Sequence, residues 1–189
     1  AYRVAVAGIS RTFQTSRLFN DLTVIDNVVI GMHARTRSGV LDALLRPRRA
    51  RAELDAASER AGAILRSLSE DLYSRRNSHA GSLAQADRRR LEIARALASE
   101  PKVIMLDEPS SGMDDRDTDA LIADIQGVME ERQDLSFIII EHDMRLVAAL
   151  PERVMVSDHG KKIAEGHFAE VRLAQRVQEA YLGYKAAHA

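Results

Sequence analysis

An α/β fold built on a parallel sheet is predicted by three observations. Two apolar runs, Val103 to Leu106 and Phe137 to Ile140, each end in polar groups: Asp107-Glu108-Pro109 after the first, Glu141-His142-Asp143 after the second. Short continuous apolar runs read as strands buried on both faces, as in a parallel sheet. Between them, from about Asp115 to Glu131, the apolar residues Leu121, Ile122, Ile125, Val128 and Met129 recur at helical spacing. Strand, helix and strand make a βαβ unit, and parallel sheets bind ligands at the carboxyl ends of their strands. Asp107, Glu108 and His142 therefore stand where ligand chemistry is expected. Two carboxylates beside an imidazole suit metal-assisted hydrolysis of a phosphate anhydride.

The other elements follow in chain order. Tyr2 to Phe13 allows a strand by the alternation of Val4 and Val6. Thr23 caps a helix running to about Ala34, and Asp26 favours its first turn. Arg35 to Arg49 is basic and irregular, with Pro47 expected to break helix. A long helix spans roughly Ala50 to Ser69. Ser74 to Ser82 is a loop, and helix resumes near Arg88 and ends before Pro101. The last third reads as a strand (Arg153 to Ser157), a turn at Asp158-His159-Gly160, a strand (Lys162 to Glu165) and a C-terminal helix to about Leu182. Arg46, Arg48, Arg49 and Arg51 form a basic cluster with no interleaved aromatic residue, which reads first as a solvated face and, as the alternative, as a contact to lipid headgroups or a partner loop.

Composition narrows the class. With 189 residues, 46% of them hydrophobic, the chain can bury one sizeable core. A formal net charge of −1 gives no case for a nucleic-acid partner. The absence of cysteine excludes a disulfide framework and a thiolate metal site, and fits a reducing cytosol. No apolar run approaches the roughly 20 residues of a membrane span.

Five segments in order carry a family resemblance: Arg11-Thr12-Phe13-Gln14; Leu83-Ala84-Gln85-Ala86-Asp87-Arg88; the apolar run into Asp107-Glu108; Pro109-Ser110-Ser111-Gly112-Met113-Asp114; and Ile138-Ile139-Ile140-Glu141-His142-Asp143. They resemble the Q-loop, signature, Walker B, D-loop and H-loop of an ABC-type ATPase. The resemblance runs from about Gly8 to Gly183. Arg-Thr-Phe-Gln, the long helical insert and Glu179-Ala180-Tyr181-Leu182-Gly183 look like the branched-chain amino acid uptake group. The implied fold is a partial P-loop NTPase core with a parallel sheet and an inserted helical subdomain. For Tyr2 to Phe13 the resemblance implies a helical turn followed by a short strand into Gln14, in place of one continuous strand. Residues 22–100 would form the helical insert carrying the signature, 101–166 the α/β core, and 167–189 the C-terminal helix.

The resemblance implies roles for single residues. Glu108 would polarise the attacking water as general base, and Asp107 would hold Mg²⁺ through water. Gln14 would contact the same Mg²⁺ and water, and couple the site to a membrane partner. His142 would bond the γ-phosphate of ATP. Leu83, Ala84, Gln85, Ala86 and Asp87 would meet nucleotide on an opposing subunit. Ser111, Gly112, Met113 and Asp114 would form the D-loop, with Asp114 also able to cap the next helix. The implied partners are a second ATP-binding subunit, as homo- or heterodimer, and integral permease subunits. The implied location is the cytoplasmic face of the membrane.

Two departures from the family pattern stand out. Ala86 replaces the closing glycine of the signature and Arg88 a later glutamine. A methyl at Ala86 is expected to obstruct close approach of backbone to phosphate, and Ala84 lacks a hydroxyl, so ATP closure is expected to be weakened. The phosphate loop is the second departure. It needs two glycines five positions apart followed by Lys and Ser or Thr, and no two of the ten glycines have that spacing. The expectation is that this loop belongs before Ala1. An inactive fragment or interaction remnant of such a subunit is thus the alternative. A DNA-repair or chromosome ATPase would need sustained heptads, and none is present.

Overall fold

The computed structural model describes residues 4–5, 7–12, 17–32 and 47–182. The chain divides into two compact units, residues 1–141 and 142–189.

The first unit holds a three-stranded parallel sheet: β1 (Ile9–Arg11), β2 (Val103–Asp107) and β3 (Ser136–Ile140), in that order. β2 is central. Ile9 lies opposite Val103 on one side, and Asp107 lies opposite Ile140 on the other. Helix α1 (Val24–Gly31) starts at Thr23, whose side chain accepts from the Asp26 amide, as the sequence suggests. Asn27 on this helix is fully buried yet satisfied. Its amide donates to the Phe19 and Thr23 carbonyls, and its oxygen accepts from the Phe19 amide. Helix α2 (Pro47–Leu68) buries Ala57, Ala61, Leu65 and Leu68 along one stripe. Helices α3 (Glu70–Ser74) and α4 (Gln85–Leu97) follow, with a 3₁₀ turn at Ala80–Ser82 between them. Helix α5 (Asp115–Glu131) crosses from β2 to β3 and buries Leu121, Ile122, Ile125 and Val128. Each buried Leu or Ile contributes about 1.5–3 kcal/mol.

The two faces of the sheet differ. Ile104 and Leu106 are fully buried on the face beneath α4, whereas Ile138 is 48% and Ile140 51% exposed on the other. The expectation that both strands are buried on both faces therefore fails for β3. It is the sheet's edge, and its alternate side chains stand in the open.

The second unit comprises α6 (Met144–Ala149), an antiparallel hairpin of β4 (Val154–Asp158) and β5 (Lys161–Gly166), α7 (Phe168–Val171) and α8 (Gln175–Leu182). The hairpin turns at His159 and Gly160, both at positive φ.

Several boundaries move. Pro47 begins α2 instead of breaking helix, because a first-turn proline loses no hydrogen bond there. Helix α4 starts at Gln85, three residues before Arg88. Ser69 caps the unforeseen α3 by accepting from the Leu72 amide, and α6 was likewise unread. The C-terminal helix is broken into α7 and α8.

Candidate functional site

The carboxyl ends of β2 and β3 form one face of the candidate site. Asp107, the last residue of β2, is half-buried. Its Oδ2 accepts from Arg11 Nη2 at 2.8 Å, and its backbone N–H donates to Thr12 Oγ1 at 3.3 Å. Glu108 has left the strand, with φ of +45°. A left-handed conformation outside glycine costs about 1–3 kcal/mol and persists only where its surroundings impose it. Here the Glu108 N–H donates to Ile140 O at 2.8 Å, and the Ser111 N–H donates back to Glu108 O at 3.1 Å. Two residues on, the Ser110 N–H donates to Glu141 Oε1 at 2.9 Å, and the Ser110 hydroxyl donates to the same oxygen.

The chain then turns through Gly112, whose φ of +79° suits glycine. Asp114 caps α5 by accepting from the Asp117 N–H at 2.8 Å. Capping fixes Asp114 at the head of the helix, and Ser111, Gly112 and Met113 form the turn before it.

The segment 83–87 sits at the N-terminus of α4. Ala84 occupies the N-cap position with no side-chain bond, and Ala84 and Gln85 are exposed. Leu83 and Ala86 are 6% and 5% exposed. The Ala86 methyl is thus packed within its own subunit. The expectation that it hinders closure concerns a pair of subunits meeting over nucleotide, and the exposed Ala84 lacks the hydroxyl as the sequence shows. The first-turn N–H groups of a helix have no intrahelical partners, and Ala84 makes no side-chain cap bond, so this helix start suits an anion.

Asp87 is the hub of a charged chain. It accepts from Arg75 at the end of α3 and from Arg90 Nη1 at 3.3 Å, and Arg90 Nε donates to Asp124 of α5 at 2.6 Å. Burial works against the charge on Arg90, but Asp124 and Asp87 outweigh it and hold its pKa above the ordinary value. Burial pushes the Asp124 carboxyl up, with Arg90 opposing and Asp87 adding to the shift. Sequence reasoning missed Arg75, Arg90, Asp124 and Glu141, because each acts across elements distant in sequence. Arg88, read only as a departure, donates to the Ala80 carbonyl at 3.2 Å and to Asn20 Oδ1 at 3.0 Å, pinning the turn before α4.

His142 opens the second unit and is exposed. Its neighbour Asp143 caps α6 and pairs with Arg145 at 2.9 Å, which with the nearby His142 holds the Asp143 carboxyl below the usual range. Gln14 lies outside the described residues, as does Arg46.

A metal must fit this donor set. Among the described residues no three His, Asp or Glu side chains gather to hold an ion. Mg²⁺ needs no such cage. It keeps several waters and takes one or two carboxylates plus substrate phosphates. A half-buried Asp107 at a strand end fits that mode.

Comparison with known proteins identifies the family. Residues 2–111 match the sequence profile of the family described as ABC transporter. The high-affinity branched-chain amino acid transport ATP-binding protein LivG of Salmonella typhimurium is 36% identical over 184 residues, covering 96% of this chain and 70% of LivG. BraF of Pseudomonas aeruginosa, described in the same words, is 34% identical over 182 residues, with the same coverage. The crystal structure of a nucleotide-free ATP-binding cassette from an ABC transporter superposes with a TM-score of 0.74 at 28% identity, over 95% of this chain and 70% of that one.

Proposed function

The chain belongs to the ABC transporter ATP-binding family, and from that premise we propose that it powers an importer of branched-chain amino acids by hydrolysing ATP. The observation that carries the substrate class is the identity of 34–36% over 96% of the chain to LivG and BraF. The observation that supports hydrolysis is the Asp107-Glu108 pair at the carboxyl end of the central strand.

In this reading Asp107 holds Mg²⁺, which when bound supplies charge neutralisation at the phosphates. Glu108 takes the proton of the attacking water. His142 bonds the γ-phosphate, and Gln14 contacts the metal and water. The segment 83–87, through its exposed Ala84 and Gln85, and the turn 111–114 meet nucleotide on a second ATP-binding subunit. The chain works on the cytoplasmic face of the membrane against permease subunits. Among the described residues no helix is long and apolar enough to cross a membrane itself. Arg11, Thr12, Arg17, Ile30 and Arg95 are among the residues lining a cleft of about 330 Å³. Thr12 and Arg17 flank the stretch that contains Gln14.

A second reading, that the 189 residues hydrolyse nothing alone, is favoured by the glycine spacing. Calorimetry of the isolated chain is then expected to give at most weak Mg-ATP binding. Micromolar binding would overturn this second reading. The main reading is tested by Glu108→Gln in the chain assembled with its permease. Hydrolysis and leucine uptake should be lost while nucleotide binding stays. Normal turnover in that variant would place the base elsewhere.

A further inference from the structure

Three non-glycine residues among those described have positive φ: Glu100, Glu108 and His159. Two have ordinary local reasons. Glu100 terminates the helical stretch of α4, donating its N–H to Leu97 O at 2.8 Å, and His159 makes the β4–β5 hairpin turn. Glu108 has neither. It follows a strand directly and opens a turn that the Ser111 N–H closes onto its carbonyl at 3.1 Å, and bonds to β3 and to the residue after that strand also hold this conformation. One is to the Ile140 carbonyl, and the other runs through Ser110 to Glu141. Ser110 is 7% exposed, so both of its donors are taken from water and need an acceptor. One carboxylate oxygen of Glu141 serves both. An ionised acceptor taking two donors makes a stronger tie than a neutral one.

From this geometry we propose that Glu141 is a positioning residue. Through Ser110 it holds the Glu108–Ser110 turn in its left-handed form, and so sets where the Glu108 carboxylate is presented. The catalytic meaning rests on the ATPase reading above, but the holding itself does not. The tie joins the ends of β2 and β3, so loss of Glu141 should release the turn and leave the sheet and α5 intact.

The test compares amide hydrogen exchange by NMR in the full chain for wild type, Glu141→Ala, Glu141→Gln and Ser110→Ala. Glu141→Ala should lower protection of the Ser110 and Glu108 amides about tenfold, with Leu121 and Ile125 in α5 within about twofold of wild type. Glu141→Gln retains an oxygen acceptor and should keep most of the protection. Should Glu141→Ala fail to fold, Ser110→Ala decides. It keeps the amide donor and should lose roughly threefold, locally. Unchanged protection at Ser110, or an equal loss throughout the chain, overturns the proposal. So does a Gln variant as unprotected as the Ala variant.

In the permease assembly, Glu141→Ala should lower kcat for ATP about tenfold with KM little changed, and Gln should rescue it. A change in KM alone overturns the positioning role. If wild type itself shows no turnover, the ATPase reading fails, while the exchange result still decides whether Glu141 holds the turn.

Discussion

At the N-terminus of α4, charged side chains tie one helix to its neighbours. At the end of β2, by contrast, the backbone itself is held out of its ordinary range by bonds to the next strand. The first arrangement joins Arg75, Asp87, Arg90 and Asp124 across three helices. The second joins Glu108 and Ser110 to Ile140 and Glu141. The difference lies in what each can lose. A helix held by side-chain charges loses stability when one charge is removed, because the partner stays desolvated and unpaired. A strained turn loses geometry first, since strain is released when the tie goes. Substitutions in the two regions should therefore separate into those read in unfolding and those read in turnover.

The sharpest separation is expected at Glu108. Glu108→Gln in the permease assembly keeps the shape of the side chain and the backbone bonds to Ile140 and Ser111. If Glu108 is the proposed general base, its loss should cost on the order of 10²–10⁴-fold in turnover. The denaturation midpoint should move less than turnover, since the bonds from Glu108 to Ile140 and from Ser111 to Glu108 are made by backbone atoms that the substitution keeps. A large loss of stability in this variant would erase the contrast, showing that the carboxylate supports the fold.

Arg90 is the reverse case. Its side chain is 11% exposed and ties Asp87 to Asp124. Arg90→Ala should cost about 3 kcal/mol, because Asp124 is left without its cation and Asp87 keeps only Arg75. Arg90→Lys should recover only part, since an ammonium lacks the planar fork that reaches both acids. Urea denaturation of the chain measures both. Asp124 gives a related sign. Burial raises its folded pKa above the unfolded value. Its contribution to stability is fully present below the unfolded pKa and is lost as pH rises through the folded one. Asp124→Asn should flatten that slope. A slope of opposite sign would mean that Arg90 outweighs burial at this carboxyl.

These expectations also mark what the sequence could and could not convey. The strands β2 and β3 and helix α5 were legible because their apolar residues follow the periods of their elements, and those periods are local. Asp107 and Glu108 were legible as strand-end acids for the same reason. The open face at Ile138 and Ile140 was not, because an apolar run reports how a strand would pack and not what is there to cover it. Pro47 was misread because its effect depends on whether it falls in the first turn or later, which composition alone does not fix. The ties made by Arg90, Arg75 and Glu141 join residues 12 to 34 positions apart. No local pattern marks such pairs, and a charge on a helix reads as solvated until its partner's position is known.

The smallest effect concerns the two alanines at the start of α4, and it asks which of them faces outward. Ala84 is the N-cap and makes no side-chain bond, although a hydroxyl there could accept from a first-turn N–H. Ala84→Ser should add about 1 kcal/mol of stability, the usual worth of a capping hydroxyl. Ala86 lies in the first turn with its methyl buried, so Ala86→Gly should remove about 1 kcal/mol through backbone freedom and lost packing. In turnover the order should be the same. Ala84→Ser adds a donor on an exposed residue at the helix start, where an opposing nucleotide would approach. Ala86→Gly changes only a surface turned into the subunit. Paired measurements of denaturation and steady-state ATPase in the permease assembly separate these effects. If Ala86→Gly raises turnover while Ala84→Ser leaves it unchanged, the methyl does obstruct closure, and the N-terminus of α4 must turn when the subunits meet.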